Sequence, residues 1–175
     1  MAEGNDVDLN KLGGKEFYQQ KLKAIKSIED MSKELLELYA KRKATKGFKY
    51  SEDDYLYTEF ENAFEYTETA DQLQAIEDVK EDMTSGKVMD RLICGDVGFG
   101  KTEVAMRAMF KAVENGKQVA ILAPTTILSL QHFMTAQKRT KDFGINIEML
   151  NRFRSAKEQK TILSDLESGK INVIC

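Results

Sequence analysis

Residues 92–104 read Leu92-Ile93-Cys94-Gly95-Asp96-Val97-Gly98-Phe99-Gly100-Lys101-Thr102-Glu103-Val104, and the fold is decided there. Leu92-Ile93-Cys94 is a short apolar run of the kind that forms a buried strand. The glycines after it allow backbone turns closed to other residues, and from Lys101 to about Glu114 the pattern is that of an amphipathic helix. Gly95, then Gly100-Lys101-Thr102 at the end of an eight-residue turn, is the spacing of a P-loop. Strand, turn and helix in this order bring backbone N–H groups close to phosphate oxygens, with the positive end of the helix dipole behind them. Lys101 is placed to reach the β- and γ-phosphates of a nucleoside triphosphate, and the Thr102 hydroxyl to hold Mg²⁺. The expected cofactors are ATP and Mg²⁺.

On the carboxyl side, residues 118–123 form a candidate strand ended by Pro124, the single proline of the chain. A helix over about 127–138 and a strand over 145–150 follow. Ser155-Ala156-Lys157-Glu158 is a capping box opening a further helix that ends near Gly169, before a strand over 171–175. Strands alternating with helices indicate a parallel sheet with right-handed crossovers, so the core is α/β.

On the amino side, Thr69 with Gln72 reads as a capping box for a helix carrying Leu73, Ile76 and Val79 on one face. Ser51 with Asp54 reads as a similar signal for a helix through about Ala63. Residues 15–46 are helical in pattern, with Leu22, Ile25, Ile28, Leu35 and Tyr39 on a stripe that suits packing against the domain, and Gly47 as its stop. The alternative is a helical module that docks a protein around Leu35-Leu36, the P-loop then being structural. Residues 1–14 read as a flexible lead-in. The expected division is therefore 1–14 lead-in, 15–67 helical linker or extension, and 68–175 the P-loop domain.

The whole chain has 175 residues, 42% hydrophobic, enough for a packed core, and a formal net charge of −3, so any nucleic-acid contact must be made by local patches. Two cysteines, Cys94 and Cys175, are too few for a disulfide framework or a zinc site; Cys94 is expected to be a small buried residue. The lone histidine, His132, has no ligand partners at useful spacing and reads as a helix-packing residue. With no signal peptide and no apolar run near the ~20 residues that span a bilayer, a cytoplasmic protein without membrane association is expected.

The flanks of the P-loop carry a resemblance. Thr69-Ala70-Asp71-Gln72-Leu73-Gln74-Ala75-Ile76, Met89-Asp90-Arg91 leading into the P-loop, and Ala123-Pro124-Thr125-Thr126-Ile127-Leu128 followed by Gln131-His132 resemble superfamily 2 translocases. Within that group, Arg152-Phe153-Arg154-Ser155 with Lys157-Glu158-Gln159, and Lys11-Leu12-Gly13-Gly14-Lys15 with the helix after it, resemble the bacterial transcription-repair coupling factors. The sister family of branch-migrating, replication-restart helicases is similar in the P-loop region and less so in the amino-terminal helix and the Arg-Phe-Arg segment. Phe99 stands where this family carries tyrosine, which keeps the ring and loses a hydroxyl.

The resemblance implies a RecA-like P-loop NTPase fold, in a motor that uses ATP to move on double-stranded DNA, displaces stalled RNA polymerase and recruits excision-repair proteins. By motif, Gln72 reads the adenine edge and Phe64 stacks near the base; Gly95, Asp96, Val97, Gly98, Phe99, Gly100, Lys101, Thr102 and Glu103 surround the phosphates, with Thr102 on the metal. Thr125, Thr126, Arg152 and Arg154 contact the DNA backbone. From the residues alone, Gln72 is equally a helix cap, one of the two threonines an N-cap, and the two arginines ordinary solvated charges. The family's acidic DEEQ-type segment and second motor domain have no counterpart in the sequence, so the chain is expected to be a piece that holds nucleotide without hydrolysing it. Its sheet is expected to be incomplete, with open strand edges that favour dimerisation or strand exchange.

Overall fold

A computed structural model describes residues 15–175; the lead-in lies outside them. The chain divides into two units, Met1–Thr45 and Lys46–Cys175. In the first, α1 (Lys15–Ala44) is a 30-residue helix with Lys41, Arg42 and Lys43 in its last turn, where cations suit the helix dipole. Taken by itself the helix has nothing to bury its stripe against, and Leu22, Ile25, Ile28, Leu35 and Tyr39 are all exposed. It stops short of Gly47: the Thr45 amide and hydroxyl both return to the Lys41 carbonyl, at 3.0 and 2.8 Å. Gly47 serves the second unit, where Lys46 bridges Lys87 and a Cβ on Gly47 would overlap the Lys87 carbonyl.

The second unit runs α2 (Tyr55–Asn62), α3 (Ala70–Thr84), α4 (Lys101–Glu114), β1 (Val119–Ala120), α5 (Thr126–Thr140), β2 (Ile147–Glu148), α6 (Ala156–Glu167) and β3 (Val173–Ile174). The three strands form a parallel sheet in the order β1-β3-β2, with Val173 of the central strand opposite both Val119 and Ile147. This is the α/β arrangement expected of the sequence. α2 packs on α4, so the compact unit starts well upstream of a boundary at 67/68.

Two local expectations fail. Leu92-Ile93-Cys94 pairs with none of the described strands, and a strand without a neighbour forms no ladder. Leu92 is accordingly 85% exposed and Cys94 is exposed rather than buried; only Ile93 packs inward, against the cluster that holds Val104 and Val119. At α2 the cap is Asp54, whose carboxylate accepts the Tyr57 amide at 3.0 Å. The Ser51 amide instead donates to the Asn115 side chain at 2.9 Å.

α4 is the central element. One face sends Met106, Met109 and Phe110 into a core shared with Tyr57, Phe60, Ala136, Ile147 and Val173. The opposite face sends Val104 and Ala112 against Ile76, Val79 and Met83 of α3. Phe110 stacks on Phe60 at 4.1 Å between ring centroids and meets Phe143 edge-on at 5.0 Å. Between these faces runs a charged stripe at helical spacing, Glu103, Arg107 and Lys111, only 7%, 3% and 1% exposed.

Every charge in the stripe is answered. Arg107 donates to Glu103 at 3.0 Å, to Glu61 at 3.2 Å and to Glu68. Lys111 binds Asp53 at 2.6 Å, and Lys80 of α3 bridges Asp53 and Glu61 at 2.6 and 3.1 Å. Burial pushes the Asp53 carboxyl upward, but its bonds to Lys111 and Lys80 outweigh that and hold it below its ordinary value.

At the other end of α4, burial and the neighbouring Asp54 carboxylate push Glu114 from its ordinary 4.5 up to about 7.

Truncating Phe110 to Ala removes the ring at the meeting point of α2, α4 and Phe143, and is expected to cost about 3–5 kcal/mol in urea unfolding. Glu114 sets a pH dependence. Between 4.5 and about 7 the folded chain keeps a proton that the unfolded chain releases, so stability falls as pH rises through that window and then levels off. Glu114→Gln is expected to flatten the decline, read as the thermal midpoint from pH 5 to 8.

Candidate nucleotide-binding site

The loop between Cys94 and α4 is shaped by two glycines at positive φ, Gly98 at 84° and Gly100 at 70°, a region that L side chains rarely adopt. The Phe99 amide donates to the Asp96 carbonyl and the Val97 amide to the Asp96 carboxylate, both at 3.3 Å, closing the turn. Gly100 is the N-cap of α4 and supplies no side-chain acceptor. The Glu103 amide donates to the Gly100 carbonyl at 2.9 Å, which leaves the Lys101 and Thr102 amides at the helix head for an outside anion. The Lys101 ammonium folds back over the loop and donates to the carbonyls of Gly95 and Asp96, each at 2.6 Å.

Gln72 performs two jobs. Its Oε1 accepts the Thr69 amide at 2.8 Å while its own amide donates to the Thr69 hydroxyl at 3.2 Å, the capping box that starts α3. Its Nε2 donates to the Phe99 carbonyl at 2.9 Å, pinning the P-loop to α3. A Cβ at Gly100 would overlap that Nε2.

Phe64, half-buried, meets Tyr66 edge-on at 5.5 Å, with the guanidiniums of Arg139 and Arg107 5.3 and 5.7 Å from its ring centroid. A cleft of about 670 Å³ opens here, lined by Phe64, Tyr66, Gln72, Gly98, Gly100, Thr102, Glu103, Arg139 and neighbours from the end of α5. Phe64, Gln72 and the loop, separate in sequence, thus share one concavity.

Glu103 borders the cleft but its carboxylate is committed inward. Oε1 takes bonds from Arg107 at 3.0 Å and Arg139 at 2.7 Å, and Oε2 one from Arg139 at 3.1 Å. Thr125, Thr126, Arg152 and Arg154 stand outside the cleft lining. Thr125 is the N-cap of α5, its hydroxyl accepting the Leu128 amide at 3.2 Å, and Thr126 is the first helical residue. Arg154 lies 3.6 Å from both Glu148 and Glu158; Arg152 covers the Phe153 ring at 5.1 Å.

Among the described residues no His, Cys, Asp and Glu cluster is arranged for a metal, and no helix is long and apolar enough to cross a membrane. His132 is half-buried in α5. Burial pushes the Cys175 thiol up to about 11, which leaves it unreactive.

Sequence reading passed over Arg107 and Arg139. Arg107 carried a signal, since it stands four residues after Glu103 on one helix. Arg139 carried none: with Lys138 it sits in the last turn of α5, where basic residues ordinarily serve the helix dipole.

The profile of the DEAD/DEAH box helicase family matches residues 69–175. The transcription-repair-coupling factor of Borreliella burgdorferi is 53% identical over 173 residues, and that of Bacillus subtilis 49%. The Staphylococcus aureus protein of the same name is 47% identical. Each alignment takes in 99% of this chain, which spans 15% of the length of those relatives. A solved structure of RecG bound to a three-way DNA junction superposes with a TM-score of 0.72 at 33% identity, over 79% of this chain and 19% of the other. The resemblance to transcription-repair coupling factors and the RecA-like fold read from the motifs both hold. A P-loop heading α4, a parallel sheet behind it and a family profile spanning both leave one assignment: the chain belongs to the DEAD/DEAH box helicase family.

Proposed function

We propose that this chain is the ATP-binding part of a DNA-translocating motor of the transcription-repair coupling type. The observation that carries the reading is the meeting, on one cleft, of a loop with Gly98 and Gly100 at positive φ, the head of α4, and Phe64 with Gln72. The residues fit Mg-ATP: the Lys101 and Thr102 amides at the helix head are placed to donate to an anion, and Gly100 leaves the space through which Gln72 clasps the loop. With nucleotide bound, Lys101 would exchange its two carbonyls for phosphate oxygens, and the Thr102 hydroxyl would hold Mg²⁺, which would supply charge neutralisation of the triphosphate. Phe64 stacks on the base, and Gln72 keeps a second Nε2 hydrogen and an Oε1 lone pair for the adenine edge. Both carboxylates beside the cradle are already engaged, Asp96 by the Val97 amide and Glu103 by two arginines, which supports nucleotide binding without turnover by this chain.

The DNA backbone is assigned to Thr125 and Thr126 at the head of α5 and to Arg152 and Arg154, residue types suited to phosphate. The name of the relatives supports a motor that couples transcription to repair, and we assign to it action on stalled RNA polymerase, engagement of excision-repair proteins and a cytoplasmic setting without a membrane. A branch-migration role is the second reading, favoured by the likeness to RecG, but at 33% identity against 47–53% it ranks below the first. Exposed Leu92 and Leu122, 85% and 95% exposed, and the open edges of β1 and β2 support self-association by strand pairing.

Titration calorimetry with Mg-ATP is expected to give Lys101→Ala an affinity about 10- to 100-fold below wild type, the loss of charge-assisted bonds. Equal affinities would remove the phosphate-cradle assignment. Light scattering at high concentration is expected to read a dimer, and a clean monomer overturns the strand-pairing proposal.

A further inference from the structure

Arg139 touches more than one wall of the cleft. It lies in the last turn of α5, with its side chain 10% exposed. Nη2 donates to Glu103 Oε1 at 2.7 Å and Nε to Oε2 at 3.1 Å, a two-point grip on one carboxylate. Nη2 also donates to the Phe60 carbonyl at 3.0 Å, and the guanidinium lies 4.2 Å from the Phe60 ring centroid. Glu103 is the third residue of α4, directly after Lys101 and Thr102, whereas α5 starts at Thr126 with Thr125 as its cap. One carboxylate–guanidinium fork therefore ties the helix that heads the phosphate loop to the helix that starts at Pro124-Thr125-Thr126.

We propose that Arg139 is a positioning residue that couples nucleotide binding at the P-loop to the Thr125-Thr126 end of α5. The inference rests on the nucleotide-binding reading above. Glu103 keeps Arg107 whatever α5 does, but separation from Glu103 would strip the Arg139 guanidinium, 10% exposed, of its carboxylate partner in a poor solvent, so Arg139 follows Glu103. α5 is a continuous 15-residue helix, roughly 22 Å long, so a displacement at Arg139 is carried to its first turn. Arg107 holds the same carboxylate, but from α4 itself, so it fixes Glu103 without reaching α5. Lysine at position 139 keeps the charge and loses the fork.

Hydrogen exchange read by mass spectrometry, with and without saturating Mg-ATP, tests this on wild type, Arg139→Lys, Arg139→Met and Arg107→Lys. In wild type, Mg-ATP is expected to slow exchange in the P-loop and to change it by about threefold or more in the first turn of α5. At saturating Mg-ATP, even with weakened affinity, both Arg139 variants are expected to keep P-loop protection, because Arg107 still holds Glu103, and to lose the α5 effect. Arg107→Lys, with Arg139 still on Glu103, keeps both, a split that a merely stabilising ion pair does not produce. If Arg139→Met does not fold, Arg139→Lys carries the comparison. An α5 response that survives in the Arg139 variant, or is missing in wild type while the P-loop is protected, overturns the coupling alone. No protection of the wild-type P-loop overturns the nucleotide-binding reading and the coupling with it.

Discussion

The structure depends on a charged stripe placed where a helix ordinarily buries only apolar side chains. Glu103, Arg107 and Lys111 run down α4 between its two hydrophobic faces, and each has its partners on another element: Arg139 on α5, Glu61 on α2 with Glu68 ahead of α3, and Asp53 ahead of α2. Lys80 of α3 joins two of these partners. Such a network does not tolerate the loss of one member, because a buried charge left without its counter-ion costs about 3–5 kcal/mol. The Tyr57 ring lies 4.9 Å from Lys80 and 5.0 Å from Lys111, so the apolar core and the ionic stripe share a surface.

The same constraint builds the site. Because Glu103 sits in the first turn of α4, fixing its carboxylate fixes the rotation of the helix, and with it the direction of Lys101 and Thr102. Arg107 and Arg139, which hold Glu103, also flank Phe64. The Phe64 wall and the loop wall of the cleft are thus joined by one set of ion pairs, from segments near 64, 103 and 139.

What the sequence made legible was local. The P-loop, the capping boxes of Thr69 with Gln72 and Ser155 with Glu158, and both ends of α4 follow from residues within a few positions of one another, and the structure has all of them. What it concealed was pairing at a distance. A strand's existence depends on a neighbour, so an apolar triplet was not enough to place Leu92 and Cys94 inside. Ser51 and Asp54 are both good caps; α2 starts at Tyr55, so the cap is Asp54, while the backbone at Ser51 is tied to Asn115, 64 residues away. The Glu103–Arg139 fork spans 36 residues in a chain where nearly a third are charged, so no pattern singles it out.

Gln72 illustrates why a local signal and a functional role need not compete. As a cap, its side chain must fold back on Thr69, which fixes the amide in one orientation. That orientation aims Nε2 at the Phe99 carbonyl, and the approach is open only because position 100 has no Cβ. Gly100 is therefore required twice, for its φ of 70° and for the space that Gln72 occupies. A residue that starts α3, clasps the phosphate loop and borders the cleft transmits the position of one to the others. Under the proposed nucleotide binding, capping is the means by which the amide is preorganised for a base, rather than an alternative to that role.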